Sequence, residues 1–259
     1  MSDYEFLKVE TEGNILIVTM NRPEVYNAVH IYMHQEMDRV WNEFAANDDL
    51  WVAVLTGAGD KAFCAGNDLK ATAQGITGEM PKSGFAGLAN RLDREKPIIG
   101  AVNGFAMGGG LETALSCDVL IAADTATVAL PEVKVGFFAA AGGVQKLSRQ
   151  IGRKAAMEMI LSGRKVDAAE AQELGIVNEF VPAAECFDRA MDKAREIAGN
   201  SPSSVKASMR VLAQLDEMER TLEGLHLSGP EMAELRKTYD FSEGVNAFVE
   251  KRKPEWKNR

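Results

Sequence analysis

Short apolar runs, separated by turns or by helix-like segments, constrain the fold of this chain most strongly. The clearest runs are residues 15–20, 52–56 and 98–102, which consist of apolar and β-branched residues with no internal charge. Runs of this kind indicate buried strands. Between the first two runs, apolar residues recur at helical spacing over residues 27–46: Val29, Met33, Met37, Val40 and Phe44. Strands that alternate with helices predict an α/β fold.

After about residue 142 the pattern becomes mostly helical. Asp167 and Glu170 have the spacing of a capping box and predict a helix over 168–174. Ser201 and Pro202 predict the start of a helix that reaches about residue 215, and a final short helix is expected from Phe241. One more strand is predicted within 176–181. We therefore expect an α/β core over residues 1–195 and a helical C-terminal region over 196–259.

The overall composition excludes several classes of protein. The chain has 259 residues, a net charge of −9 and a pI near 5.0, which argues against a nucleic-acid partner. Its three cysteines, Cys64, Cys117 and Cys186, show neither a disulfide framework nor zinc-site spacing. The N-terminus lacks the features of a signal peptide, and no apolar stretch is long enough to cross a bilayer. We expect a cytoplasmic protein without a membrane partner.

Two glycine-containing segments, residues 63–70 and 103–112, each bring backbone amides to a bend. Glycine lets a ligand approach these amides because no Cβ stands in the way. Gly108, Gly109 and Gly110 precede an apolar, helix-like run, and a helix N-terminus attracts negative charge. Two amides directed at one oxygen are a common means of stabilising an enolate or oxyanion. The segments therefore indicate an enzyme.

Two glutamates, Glu112 and Glu132, lie close to the second glycine segment in surroundings with few polar residues. A single carboxylate near a helix start is usually only favourable placement in the helix dipole. Burial of both beside an oxyanion-binding site would raise their pKa values toward the range useful for general acid–base catalysis. They are the candidate acid and base.

Other types of site have weaker support. Residues 57–62 fit the dinucleotide pattern GxGxxA, but the following segment interrupts the helix that this pattern requires. His30 and His34 are four residues apart without a third ligand, so we interpret them as surface residues and expect no metal site. Ser116 and Cys117 have no histidine partner that would make either a nucleophile.

Several ordered motifs resemble the crotonase (enoyl-CoA hydratase/isomerase) superfamily. They are FCAGNDL at 63–69, NGFAMGGGLE at 103–112, LPE at 130–132 and GGVQKL at 142–147. The similarity runs from Gly13 almost to the C-terminus. It implies a superhelix of repeated ββα turns with a helical trimerisation region, and assembly as a trimer or a dimer of trimers.

The resemblance also implies roles for individual residues. The backbone N–H groups of Asn67 and Gly109 would form an oxyanion hole for the thioester carbonyl of an acyl-CoA substrate. Glu112 would orient and deprotonate the water that adds at Cβ, and Glu132 would deliver the proton at Cα. The residues expected to contact coenzyme A are Ala65, Asp68, Leu69, Lys70, Val25 and Ala28. Coenzyme A is part of the substrate, so no separate cofactor is implied.

The motifs are highly specific for the family but less specific for the reaction. Both glutamates are present, which favours reversible hydration of a 2,3-trans-enoyl-CoA. Residues 83–88 and 248–257 are similar to carnitinyl-CoA (crotonobetainyl-CoA) dehydratases, so dehydration of a polar acyl group is an alternative. Double-bond isomerisation is another, since it needs only one glutamate. A protein that binds acyl-CoA without turnover is the alternative that is not an enzyme.

Overall fold

The computed structural model describes residues 3–219, 233 and 236–255. Its strands are β1 (Leu7–Glu12), β2 (Ile15–Met20), β3 (Val52–Gly57), β4 (Ala62–Cys64), β5 (Ile98–Val102), β6 (Phe105–Met107), β7 (Val119–Ala123), β8 (Thr127–Ala129), β9 (Val166–Asp167) and β10 (Glu179–Val181). Its helices are α1 (Ile31–Ala46), α2 (Leu69–Ala73), α3 (Gly109–Ala114), α4 (Gly143–Gln150), α5 (Arg153–Ser162), α6 (Ala168–Glu173), α7 (Cys186–Ala198), α8 (Pro202–Glu219) and α9 (Tyr239–Glu250). Short 3₁₀ helices span Pro23–Val25, Phe85–Gly87, Pro131–Val135 and Ala183–Glu185. The predicted α/β class is confirmed.

The larger sheet has six strands in the order β1-β2-β3-β5-β7-β10. β1 and β2 form an antiparallel hairpin, and the strands from β2 to β10 pair in parallel. Every residue of β3 is buried, as expected for a parallel strand that is covered on both faces. Helix α7 packs against β3, β5 and β7. The apolar runs in the sequence therefore form the centre of this sheet.

The smaller sheet has the order β4-β6-β8-β9 and contains strands of only two or three residues. Its members β4, β6 and β8 pair in parallel. Each follows one strand of the larger sheet and precedes a helical segment: β3-β4-α2, β5-β6-α3, and β7-β8 with the 3₁₀ helix Pro131–Val135. These are three successive ββα turns, in agreement with the predicted superhelix.

This repetition determines where the candidate functional residues lie. Because β4, β6 and β8 are parallel neighbours, their carboxyl ends meet at the same edge of the smaller sheet. Asn67 follows β4, Gly109 follows β6, and Glu132 follows β8. Three residues that are far apart in the chain are thus placed on neighbouring segments.

Helix α1 buries the side chains that have helical spacing in the sequence: Met33, Met37, Val40 and Phe44, with Trp41 beside them. The helical C-terminal part comprises α8 and α9 among the described residues, and the boundary at residue 195 stays a prediction. Within residues 3–219 and 236–255, no helix is both long and apolar enough to span a bilayer.

Candidate active site

Glu112 lies in the first turn of α3, and its side chain is buried. Its Oε1 accepts a hydrogen bond from the backbone N–H of Gly143, at 2.9 Å. Burial raises the pKa of Glu112 to about 7, while the N–H groups of Gly143 and Ala141 and the positive charge of Lys146 act in the opposite direction. A carboxyl group with a pKa near the working pH is suited to accept a proton in catalysis.

Glu132 lies in the 3₁₀ helix Pro131–Val135, after β8. Its Oε2 is buried and has no hydrogen-bond partner among the described residues. Burial and, second, the charge of Glu112 together raise the pKa of Glu132 to about 8, while a hydrogen bond from its own backbone N–H acts in the opposite direction. Desolvation and a nearby negative charge both favour the neutral, protonated form of a carboxyl group. Glu132 is therefore suited to donate a proton.

Gly108 lies next to the carboxyl group of Glu132 and one helical turn before Glu112. Its carbonyl accepts a hydrogen bond from the N–H of Glu112, and a Cβ at position 108 would lie 3.0 Å from Oε1 of Glu132. Its φ of +55° is one that L side chains rarely adopt. Glycine meets both conditions, so the chain can enter α3 beside the carboxyl group of Glu132. The charge of Glu112 acts on the pKa of Glu132, so the two carboxyl groups lie near each other.

The proposed oxyanion donors, Asn67 and Gly109, lie on adjacent segments. A Cβ at Gly66 would lie 3.0 Å from the backbone nitrogen of Gly109, so the two bends are in close contact. Asn67 pairs with Val29 in an isolated parallel β-bridge. The hydrogen bonds of this bridge join Val29 to the carbonyl of Gly66 and to the N–H of Asp68, so they do not use the N–H of Asn67. Gly109 is the first residue of α3, where an N–H has no acceptor within the helix. Both N–H groups are thus left out of the local backbone pairing.

The structure also brings together most of the residues expected to contact coenzyme A. The N–H of Ala65 donates to the carbonyl of Tyr26 at 2.9 Å, and the N–H of Ala28 donates to the carbonyl of Val25 at 3.1 Å. The turn at residues 25–28 therefore lies directly against residue 65. Leu69 and Lys70 form the start of α2, and Lys70 is exposed.

Asp68 differs from these residues because its carboxylate already has protein partners. Oδ1 accepts the N–H of Ala71 at 3.0 Å and caps α2. Oδ2 forms a buried ion pair with Arg22 at 2.9 Å. This carboxylate fixes α2 to the turn after β2, so a contact between coenzyme A and the 68–70 segment is better supported at Leu69 and Lys70.

The interpretation of the histidines as surface residues is wrong. His30 and His34 are both buried, with 8% and 1% of their surface exposed. His30 caps α1, where its Nδ1 accepts the N–H of Met33, and Nδ1 of His34 accepts the N–H of Ala86 at 2.9 Å. The partner of His34 lies 52 residues away in the chain, so local spacing carries no sign of it. Burial lowers the pKa of His34 to about 4.

Sequence reasoning missed two residues near the glutamates. The ring of Phe85 packs against Gly109, so that a Cβ at position 109 would lie 2.4 Å from Cζ of the ring. Lys146, within the GGVQKL motif, donates to the carbonyl of Ala89 and to the hydroxyl of Ser116. The only signals for them were the similarity of residues 83–88 to one group of dehydratases and the motif itself.

Comparisons with known proteins identify the family. The family model for enoyl-CoA hydratase/isomerase matches residues 10–259. A mevalonyl-coenzyme A hydratase of Aspergillus fumigatus is 41% identical over 94% of this chain and 92% of its own length. A carnitinyl-CoA dehydratase of Proteus mirabilis is 38% identical over 98% of both chains.

Solved structures give the same result. A carnitinyl-CoA hydratase from Mycobacterium avium superposes with a TM-score of 0.92 and 39% identity, covering 99% of this chain and 100% of that one. An enoyl-CoA hydratase/isomerase from Pseudoalteromonas atlantica superposes with a TM-score of 0.89 at 30% identity, over 98% of this chain and 100% of that one. The fold, the sequence match and the glutamate pair lead to one conclusion: the chain belongs to the enoyl-CoA hydratase/isomerase family of the crotonase superfamily.

Proposed function

We propose that this protein adds water reversibly across the 2,3 double bond of an enoyl-CoA thioester. One observation carries the proposal. The carboxyl groups of Glu112 and Glu132, both with pKa values raised by burial, interact electrostatically, and Glu112 lies in the same first turn of α3 as the N–H of Gly109. In this proposal Glu112 is the base, Glu132 the acid and Gly109 an oxyanion donor, which are the groups that acid–base addition to a thioester requires.

The reaction follows from these positions. The thioester carbonyl accepts hydrogen bonds from the N–H groups of Asn67 and Gly109. Glu112 takes a proton from water as the oxygen of that water bonds to Cβ, and the electron pair of the double bond moves to form the enolate. Glu132 then donates its proton to Cα. Each oxyanion donor in such a site lowers the barrier by about 3 kcal/mol.

In the reverse direction the same groups remove water from a 3-hydroxyacyl-CoA. Ala65, the turn at residues 25–28, and the start of α2 at Leu69 and Lys70 would hold coenzyme A. Lys70 is exposed and carries a positive charge beside this segment, which suits a phosphate-bearing ligand. The coenzyme is part of the substrate, and the proposed steps need no further cofactor.

A polar acyl group is the second candidate substrate class, with dehydration as its physiological direction. The relatives named above as a mevalonyl-coenzyme A hydratase and a carnitinyl-CoA dehydratase support it, because both names describe acyl groups with polar substituents. Isomerisation is less well supported, since it would leave one of the two glutamates with a raised pKa without a role.

We expect a trimer or a dimer of trimers, from the family resemblance, and a cytoplasmic location, from the composition.

A panel of enoyl-CoA and 3-hydroxyacyl-CoA thioesters tests the function directly. We expect crotonyl-CoA or a polar analogue to lose its enoyl absorbance in water when the enzyme is added. Glu112→Gln and Glu132→Gln should each lower kcat by about 10²- to 10⁴-fold and leave coenzyme A affinity unchanged, because each removes a proton-transfer group and no ligand contact.

The matched control is Glu173→Gln on α6, an exposed glutamate outside the site. It should retain wild-type kcat. Near-normal rates in both site variants would contradict the assigned chemistry. Tolerance of Glu112→Gln alone would indicate isomerisation. Coenzyme A affinity without turnover on any thioester would indicate a binding protein.

A further inference from the structure

We propose that Lys146 is a positioning residue for Glu112: its positive charge stabilises the Glu112 carboxylate, and its hydrogen bonds hold together the three segments around that group. The inference rests on the proposed role of Glu112 as the base. It assigns to the GGVQKL motif a function beyond the helix start that it provides.

The hydrogen bonds of Lys146 lead to Glu112 through the protein. Its Nζ donates to Oγ of Ser116, and that hydroxyl donates to the backbone carbonyl of Glu112 at 2.7 Å. Nζ also donates to the carbonyl of Ala89 at 2.8 Å. Ala89 belongs to the segment that places Phe85 against Gly109. One ammonium group thus connects α3, α4 and the segment beside the proposed oxyanion donor.

The first turn of α4 contacts the carboxylate end of Glu112. The N–H of Gly143 donates to the carboxylate, and the N–H of Lys146 donates to the carbonyl of Gly142 at 2.7 Å. A Cβ at Gly142 would lie 3.2 Å from Cε of Lys146, and the φ there is +100°. The two glycines therefore let α4 begin close to the carboxylate, with the lysine stem folded over Gly142, the residue before the helix.

The charges around Lys146 leave Glu112 as its acidic counterpart. The charged or titratable groups that face Lys146 are Arg94, Glu112, Cys117 and Asp118. Asp118 accepts two hydrogen bonds from the guanidinium of Arg94, at 2.8 and 2.9 Å, and a third from a backbone N–H. Burial holds Cys117 as a neutral thiol, because it raises the pKa to about 12. Among the described residues, no carboxylate forms a direct ion pair with Lys146.

The ionisation of Lys146 suits this role at neutral pH. Burial, with the nearby charge of Arg94, lowers the pKa of Lys146 to about 8, so the ammonium form predominates at pH 7. The charge of Lys146 lowers the pKa of Glu112, and the charge of Glu112 raises the pKa of Glu132. Removing the cation should take away a favourable interaction with the Glu112 carboxylate, so Glu112 should then hold its proton to a higher pH.

The test compares the pH dependence of kcat/KM for Lys146→Met with that of Arg149→Met. Arg149 is an exposed cation on the same helix, so its loss matches the change in net charge. We expect Lys146→Met to move the rising limb of the profile toward higher pH by about one pH unit, because a nearby opposite charge is lost. At pH 7 this corresponds to a loss in kcat of about fivefold with KM nearly unchanged. Arg149→Met should leave the profile at its wild-type position.

Two further variants separate charge from packing. Lys146→Arg keeps the charge and should restore the limb even if kcat is lower. Lys146→Gln keeps a hydrogen-bond donor without the charge, so it should shift the limb, and it replaces the methionine variant if that one does not fold. If the wild type is active and the rising limb stays at its wild-type position in both Lys146→Met and Lys146→Gln, the role of Lys146 is overturned. The proposed function would still stand. A wild type with no turnover on any thioester would overturn the proposed function first.

Discussion

Glu112 and Glu132 have the same side chain in two different surroundings. Glu112 accepts a hydrogen bond from Gly143 and faces the charge of Lys146, both of which favour its ionised form. Glu132 has a buried oxygen without a partner in the described part of the chain, and it faces the charge of Glu112. The pair therefore shares one proton preferentially on Glu132, which matches a base at Glu112 and an acid at Glu132.

This difference predicts a bell-shaped pH dependence of kcat/KM for hydration. Below the pKa of Glu112, about 7, the base is protonated, so activity should rise with pH through this value. Above the pKa of Glu132, about 8, the acid has lost its proton, so activity should fall. The two apparent values belong to the coupled pair. Initial rates measured between about pH 5 and pH 9 test this, and a profile that is flat across the range would contradict the assignment.

The weakly polar surroundings of the two glutamates were predictable from the sequence, but the surroundings of the histidines were not. Glu112 and Glu132 stand beside glycines and apolar residues, which are local signals. His34 has its acceptor role because residues 85–87, on another segment, cross α1 at that point. Trp41 donates to the carbonyl of Ala86 from the same helix at 3.2 Å. Contacts between distant segments leave no periodic trace in either segment.

The element that places the site is the ββα turn, and its close packing depends on glycine. Helix α3 lies so near β4 that a Cβ at Gly110 would be 2.0 Å from the carbonyl oxygen of Cys64. Backbone atoms of a buried strand cannot move aside easily. The absence of a side chain at position 110 therefore allows α3 to hold both Gly109 and Glu112 at the edge of the smaller sheet.

Gly110→Ala should destabilise the protein by about 3 kcal/mol through overpacking. It should also lower kcat, because displacement of α3 moves the proposed oxyanion donor and the base together. The control is Gly199→Ala at the end of α7, where a Cβ meets its nearest atoms at an ordinary 3.4 Å. This exposed position should change stability by less than about 0.5 kcal/mol. Urea unfolding followed by circular dichroism measures both, and equal midpoints would refute the packing argument.

The boundaries of elements show where local patterns stop being sufficient. The helix predicted from residue 27 begins at Ile31, because Tyr26 and Asn27 adopt left-handed conformations. The side chain of Asn27 bonds the backbone at Arg22 and also Ala58 and Ala62. The predicted strand within 176–181 is confirmed only as Glu179–Val181. Strands of three residues, such as β4 and β6, are too short to produce a pattern of their own.

At the scale of the whole molecule, apolar side chains remain exposed on both C-terminal helices. Val211 and Leu212 on α8 expose 55% and 60% of their surface, and Phe248 and Val249 on α9 expose 48% and 52%. These positions fall in the region predicted to mediate trimerisation. Exposed apolar groups at such a density are typical of surfaces that become buried in an assembly.

Leu212→Glu should therefore weaken self-association, because it places a charge on an apolar surface. Light scattering coupled to size-exclusion chromatography should show the wild type as a trimer or a dimer of trimers and the variant as a smaller species. Lys8→Gln on the edge strand β1 makes the same change in net charge away from both helices and should leave the mass unchanged. A monomeric wild type would contradict the predicted assembly.

The sequence by itself determined the class of fold, the two glycine bends and the two glutamates, because strand and helix periodicity and turn chemistry are properties of neighbouring residues. Only the tertiary structure decided how the glutamates and histidines ionise. It buried His34, placed Lys146 near Glu112 and left one oxygen of Glu132 without a partner in the described chain. A pKa depends on desolvation and on charges brought from distant segments, and these exist only after the chain has folded.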